Sequence, residues 1–173
     1  MKVLIAEYTT FHDPHLAPEG RAMVSALKKS FEKCGHEVTL PQGGDFNAEI
    51  ERLAPECDYG IVIAPDALLS RFTHTLELAT HNIGTDSTAV AVCASKRLSS
   101  KLLANVGINV PKEVGTDFAG KRVIKPIKGE GSNGVRIAKD GEEPKEGEMS
   151  VEYIEGEHYS VSIVGSRVVG EAC

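Results

Sequence analysis

The sequence predicts an α/β protein, with a parallel sheet and helical crossovers in its first half and a smaller α+β unit after it. Two observations carry this expectation. Apolar strand-like runs and helical periodicities alternate from residue 2 to about residue 80, an order that calls for parallel strands joined by right-handed crossovers. Beyond residue 120 the order becomes a short strand, a glycine-rich loop and an acid-rich strand. The 173 residues suffice for one large domain or two small ones.

The elements follow in order. Lys2 to Ala6 is a continuous apolar run, as expected of a strand buried on both faces. After a loop over Glu7 to Glu19, a helix opens at Pro18 and Glu19 and runs to about Cys34. Its apolar positions Ala22, Met23, Ala26, Leu27 and Phe31 recur at helical spacing, and Gly35 stands where a C-cap glycine belongs. His36 to Leu40 reads as a strand, Phe46 to Leu53 as a short helix, and Tyr59 to Ala64 as a strand. Pro65 and Asp66 lead into a helix through about Thr80. No G-x-G-x-x-G follows the first strand, so the dinucleotide fingerprint is missing. Ligands of parallel sheets sit beyond the carboxyl ends of the strands. Glu7, Asp66 and Arg71 fall there and are candidate substrate contacts, with solvated loop or cap roles equally open. The segment FHDPH sets His12, Asp13 and His15 close together, but Pro14 breaks any helix and no partner cluster is nearby. An exposed loop is therefore favoured over a metal site.

Composition narrows the function classes. A net charge of -6 and an absence of dense basic runs argue against nucleic-acid binding, as does an aromatic content of 5% with no Trp. No apolar stretch approaches the roughly 20 residues of a membrane span, and the start does not resemble a signal peptide. Cys34, Cys57, Cys93 and Cys173 have no C-x-x-C spacing, which fits free thiols in a reducing cytoplasm.

The second half carries the chemistry. Ser95 can cap a helix whose apolar face is Leu98, Leu102, Leu103 and Val106, and Gly107 ends it. Lys96 then lies in the first turn, where a cation is disfavoured by the helix dipole. In the strand Arg122 to Lys125, Pro126 keeps Lys125 extended, so the strand can end in a fixed charge aimed at a cleft. The loop Gly129, Glu130, Gly131, Ser132, Asn133 and Gly134 has little side-chain bulk, so its N–H groups could approach phosphate oxygens. It lacks the Gly-Lys-Ser/Thr ending of a P-loop, and Val135 to Ile137 continue as a strand. The expected device is a hairpin flap. An acid-rich strand, Ser150 to Val164, completes the set.

These motifs resemble the ATP-grasp superfamily over roughly residues 94 to 171. Three features carry the match: Ser95-Lys96 ahead of Gly107-Ile108, Ile124-Lys125-Pro126 before the glycine loop, and the hinge Glu152-Tyr153-Ile154-Glu155-Gly156-Glu157. The resemblance implies a Rossmann-like pre-ATP-grasp unit over residues 1–93 and an incomplete ATP-grasp unit over 94–173. It implies that Lys96 and Lys125 hold ATP phosphates and that Gly129, Glu130, Gly131, Ser132 and Gly134 close over them. Tyr153 and Ile154 would read the adenine edge with Glu152 at its amino group, and Glu157, or His158 beside it, would take the ribose hydroxyls. The order EY, EGRAM, IAPD and NIG-x-D-S in the first half is similar to archaeal carboxylate–amine ligases of the tyramine–glutamate ligase type. The reaction so implied joins a small carboxylate to an amine through an acyl phosphate, with ATP and Mg2+. The family's Glu-x-Asn magnesium ligands have no counterpart after the hinge. The expectation is therefore the N-terminal portion of a longer architecture, the rest being lost to truncation, supplied by a second copy or another polypeptide, or absent by frameshift. The alternative is a non-catalytic nucleotide-binding module.

Overall fold

A computed structural model describes residues 1–129, 131–165 and 167–172, the last six as backbone alone. Its centre is strand β1 (Lys2–Glu7), in which Val3, Leu4, Ile5 and Ala6 are all buried. Strands β2 (Glu37–Thr39), β3 (Tyr59–Ile63) and β4 (His81–Asn82) join it in the order β2-β1-β3-β4, every pair parallel. The α/β expectation holds, and β4 is an edge strand too short to be read from the sequence.

The crossover after β1 differs from the expected plain loop. A one-turn helix α1 (Thr9–His12) forms there because the buried Glu7 carboxylate accepts from Thr9 N (2.7 Å), Thr10 N (2.8 Å) and Thr9 Oγ1 (2.5 Å). Those bonds satisfy donors that a helix start leaves open and hold the Glu7 pKa below its usual value against the opposing effect of burial. Helix α2 (Ala17–Lys33) follows. It ends in a paired cap, with His36 N donating to the Phe31 carbonyl (3.0 Å) and Gly35 N to that of Glu32 (2.9 Å), Gly35 having φ +79°. The expected inner face is corrected. Ala22, Met23 and Ala26 are exposed, whereas Ala17 and Gly20 are buried and Val24, Leu27 and Phe31 are partly so. Gly20 decides this rotation, because only a residue without Cβ can lie against Glu7 and Thr9.

Helices α3 (Phe46–Leu53) and α4 (Asp66–Glu77) cover the sheet face bearing Leu4, Ala6 and Val62, where Phe46, Ile50, Leu53, Phe72 and Leu76 complete the main core. Asp45 caps α3 through Ala48 N (2.9 Å), and α4 stops three residues short of Thr80. The stretch after β4 is helix α5 (Ser87–Cys93), capped by Asp86. Glu77 ties these parts together, accepting from Ser87 N, Ser87 Oγ and Asn82 Nδ2.

Helix α6 (Lys96–Asn105) has Ser95 at its N-cap and Gly107 just past its end, as expected. Its apolar face exists but is not buried. Leu98, Leu102 and Leu103 are 41–45% exposed, and Val106 beyond them is 74% exposed. A second sheet has the antiparallel order β6-β5-β7, from β5 (Arg122–Pro126), β6 (Arg136–Ile137) and β7 (Glu148–Glu152). The single acid-rich strand expected over 150–164 is two strands. Residues 153–159 are irregular, and β8 (Ser160–Val164) pairs with β9 (Arg167–Ala172) as a hairpin.

Gly20→Ala would bring its Cβ to 2.3 Å from Thr9 Oγ1 and 2.6 Å from the Glu7 carboxyl. Overpacking of this kind costs about 1–3 kcal/mol. We expect a lower urea midpoint for this variant, with no such loss for Ala22→Leu on the exposed face.

Candidate functional site

Strand β5 positions the first site residue. Alternation along the strand puts Ile124 on the buried side and Lys125 on the other, and the register fixes Lys125 opposite Met149 of β7. Burial lowers the Lys125 pKa, and the positive charge of Lys96 lowers it further. Lys96 arrives from another element. Its N–H donates to the Ile127 carbonyl (2.9 Å), which pins the start of α6 to the exit of β5, and its Nζ donates to the Gly129 carbonyl. The structure thus brings together two ammonium groups separated by 29 positions in the sequence. Neither makes a salt bridge among the described residues.

Between β5 and β6 the loop turns by left-handed backbone at Gly129, Gly131, Ser132 (φ 57°) and Gly134. Such conformations let successive N–H groups face one concavity. Pro126, Lys128, Gly129, Asn133 and Gly134 line a cavity of about 310 Å³ there. Lys125 and Lys96 with this loop fit the charge and donor pattern of a polyphosphate. Glu130 lies outside the described residues.

The far end of the loop is braced by Arg136, a residue the sequence reading passed over. Its guanidinium reaches Glu148 by two bonds (2.7 and 2.9 Å) and Glu142 by one (2.9 Å). Arg136 hydrogen bonds, with help from Lys145 N, push the Glu148 pKa down to about 2. Arg122, also passed over, is buried and donates to Ser150 Oγ and to the Lys139 and Glu142 carbonyls, holding the turn after β6 on the sheet. Nothing in a basic residue at a strand start signals that role.

The hinge residues are adjacent but differently engaged. Glu152 Oε1 accepts from Lys112 N (2.9 Å), Glu152 N donates back to the Lys112 carbonyl, and Tyr153 N donates to the Lys121 carbonyl. Residues 112–114 therefore extend the β7 edge, with Glu113 bridging Val151. Tyr153 and Ile154 are exposed, with Lys121 Nζ 5.7 Å from the Tyr153 ring centre. Glu157 accepts from the Tyr159 hydroxyl (2.5 Å), which raises the Tyr159 pKa, and His158 is exposed beside it.

The first-half candidates separate. Glu7 is only 3% exposed and is spent on the α1 cap. Asp66 lies in the first turn of α4, and Arg71 lies 5.3 Å from the Phe72 ring centre. His12 hydrogen-bonds the Tyr8 and Gly44 carbonyls and stacks on Tyr8, a packing role. Among the described residues no group of three or more His, Cys, Asp or Glu side chains is placed to hold a metal ion. Among those residues no helix is long and apolar enough to cross a membrane.

The Glu148 pKa sets an acid window. A carboxylate depressed in the folded state adds stability above its unfolded value near 4.5, and that contribution is lost as pH falls through about 2. Between those values stability should fall with pH in the parent, and less steeply in Arg136→Gln. Thermal melts across the window check this.

Residues 93–169 match the family described as ATP-grasp domain. The chain matches no curated protein. Its structure is similar to that of a protein of Archaeoglobus fulgidus assigned to the ATP-grasp superfamily (TM-score 0.72, 25% identity), covering 93% of this chain and 56% of that one. It is also similar to D-alanine–D-alanine ligase of Bacillus anthracis (0.67, 20% identity, 94% and 60%). A third likeness is to L-amino acid ligase of Bacillus licheniformis (0.61, 18% identity, 98% and 49%). The chain thus spans between about half and three-fifths of these proteins. Residues 93–169 carry the ATP-grasp domain pattern, on a fold shared with solved ATP-grasp proteins.

Proposed function

We propose that the chain binds ATP in the ATP-grasp manner and serves an ATP-dependent carboxylate–amine ligase. The observation that carries this reading is the Lys96–Lys125 pair at the mouth of the glycine loop. Two close cations without a carboxylate partner among the described residues are unfavourable on their own, and an anion between them relieves that cost. In the proposed cycle the γ-phosphoryl group passes to a substrate carboxylate, its oxygen bonding to phosphorus as ADP leaves. An amine nitrogen then attacks the acyl carbon and phosphate departs. Lys96, Lys125 and the loop N–H groups would offset charge on the phosphoryl oxygens as it moves. Tyr153 and Ile154 would meet the adenine edge, Glu152 its amino group, and Glu157 or His158 the ribose. ATP would enter as its magnesium complex. Glu7 is withdrawn as a direct contact in this scheme because its carboxylate is already engaged. The narrower tyramine–glutamate type rests on the first-half motifs alone.

Calorimetric titration with ATP, with and without magnesium, tests the binding step. A charge-assisted contact is worth about 1.5–3 kcal/mol, so Lys125→Ala should weaken ATP by about 10- to 100-fold. Unchanged affinity in that variant would sink the phosphate assignment. Affinity should also fall as pH rises through the lowered Lys125 pKa, with proton uptake on binding. Carboxylate-dependent ADP release distinguishes a ligase from a module that only binds nucleotide.

A further inference from the structure

A second cavity, far from the glycine loop in sequence, lies between α2 and the carboxyl ends of β1 and β2. It measures about 390 Å³, within the range of small-molecule sites. Its shape follows from Gly20. That residue brings α2 against Glu7 and Thr9, while one turn later the side chains of Val24 and Ser25 stand over an unfilled crevice. The apolar wall is Ile5, Val24, Leu40 and Pro41, with Phe11 at the edge.

Three polar features break that wall. Thr10 lines the cavity, and its buried hydroxyl has no hydrogen-bond partner among the described residues, a cost that a polar group reaching it removes. The Glu7 carboxylate beside it is held ionised by three bonds from Thr9 and Thr10, so a donor is preferred there over an acceptor. Arg21 and Lys28 line the same cavity two helical turns apart, about 10 Å along the axis. Lys28 is paired with Glu32, whereas Arg21 makes no salt bridge among the described residues.

From this arrangement we propose that the crevice is a binding site for a small amphipathic carboxylic acid. Its acid pairs with Arg21, helped by Lys28. Its apolar body lies on Ile5, Val24, Leu40 and Pro41. A hydroxyl at the far end bonds Thr10 Oγ1 next to Glu7. The cations select an anion, the wall selects a tail or ring, and the unpaired hydroxyl selects a polar tip. None of this uses the nucleotide, so the proposal stands or falls separately from the ATP reading.

The probes are 6-hydroxyhexanoate and 4-hydroxyphenylacetate, each compared with its primary amide and with the acid lacking the hydroxyl. Binding is followed by chemical shifts in the full chain without nucleotide. Saturable binding is expected for at least one hydroxy acid, weakened at least tenfold in its amide and in Arg21→Gln. Thr10→Val should remove the advantage of the hydroxyl while leaving the plain acid unchanged. Leu40→Trp, which fills the crevice, should abolish binding, and a melt confirms that this variant is folded. If it is not folded, Val24→Phe replaces it. No saturable binding by either acid, equal binding by the amides, or unchanged affinity in Arg21→Gln overturns the proposal. ATP titration of Arg21→Gln should match the parent, which separates failure here from failure at the lysines.

Discussion

Two ammonium groups brought near one another, with no salt-bridge partner among the described residues, are the constraint that the second half of this chain is built around. Like charges repel, and burying one makes the repulsion harder to screen. The protein holds them regardless, because each is anchored through its backbone rather than its charge. Lys125 is locked by five register pairs between β5 and β7. Lys96 is tied to the exit of β5 by a single backbone bond to the Ile127 carbonyl. The braces around them have the same logic: Arg122 fixes one end of the antiparallel sheet and Arg136 the other.

The parallel sheet shows a different economy. Glu7 stands at the carboxyl end of β1, where substrates of such sheets are found, yet its oxygens organise the next turn of chain. That choice sets Gly20 in place, sets the rotation of α2, and leaves open the crevice beyond it. A single carboxylate therefore determines local structure and the shape of a neighbouring space together.

Much of the fold was legible from residue order. Val3 to Ala6 read as a buried strand and Ile61 to Ile63 as the middle of another because apolar runs of that length have few other homes, and Ser95, Gly35 and Gly107 marked helix ends through cap chemistry. The inner face of α2 was misread because two stripes compete at helical spacing, and a contact with Gly20, 13 positions after Glu7, decides between them. The break between β7 and β8 escaped notice because acidic residues disguise an irregular stretch as one polar strand face. In the site, Lys96, Lys125 and the loop glycines stood out as charges and backbone freedom in unusual places. Arg122 and Arg136 did not, since their meaning lies in partners 6 to 28 residues away.

The exposed flank of α6 bears on time rather than on shape. With Leu98, Leu102 and Leu103 half in water and no residue of the helix buried, little packing energy opposes its opening. Elements of that kind sit at the low end of local stability and exchange their amide protons early. Lys125, by contrast, rides on a strand paired on both sides. One cation is thus carried by a stiff support and the other by a loose one. An anion bound between them, as proposed, would meet a fixed pole and a pole able to follow it.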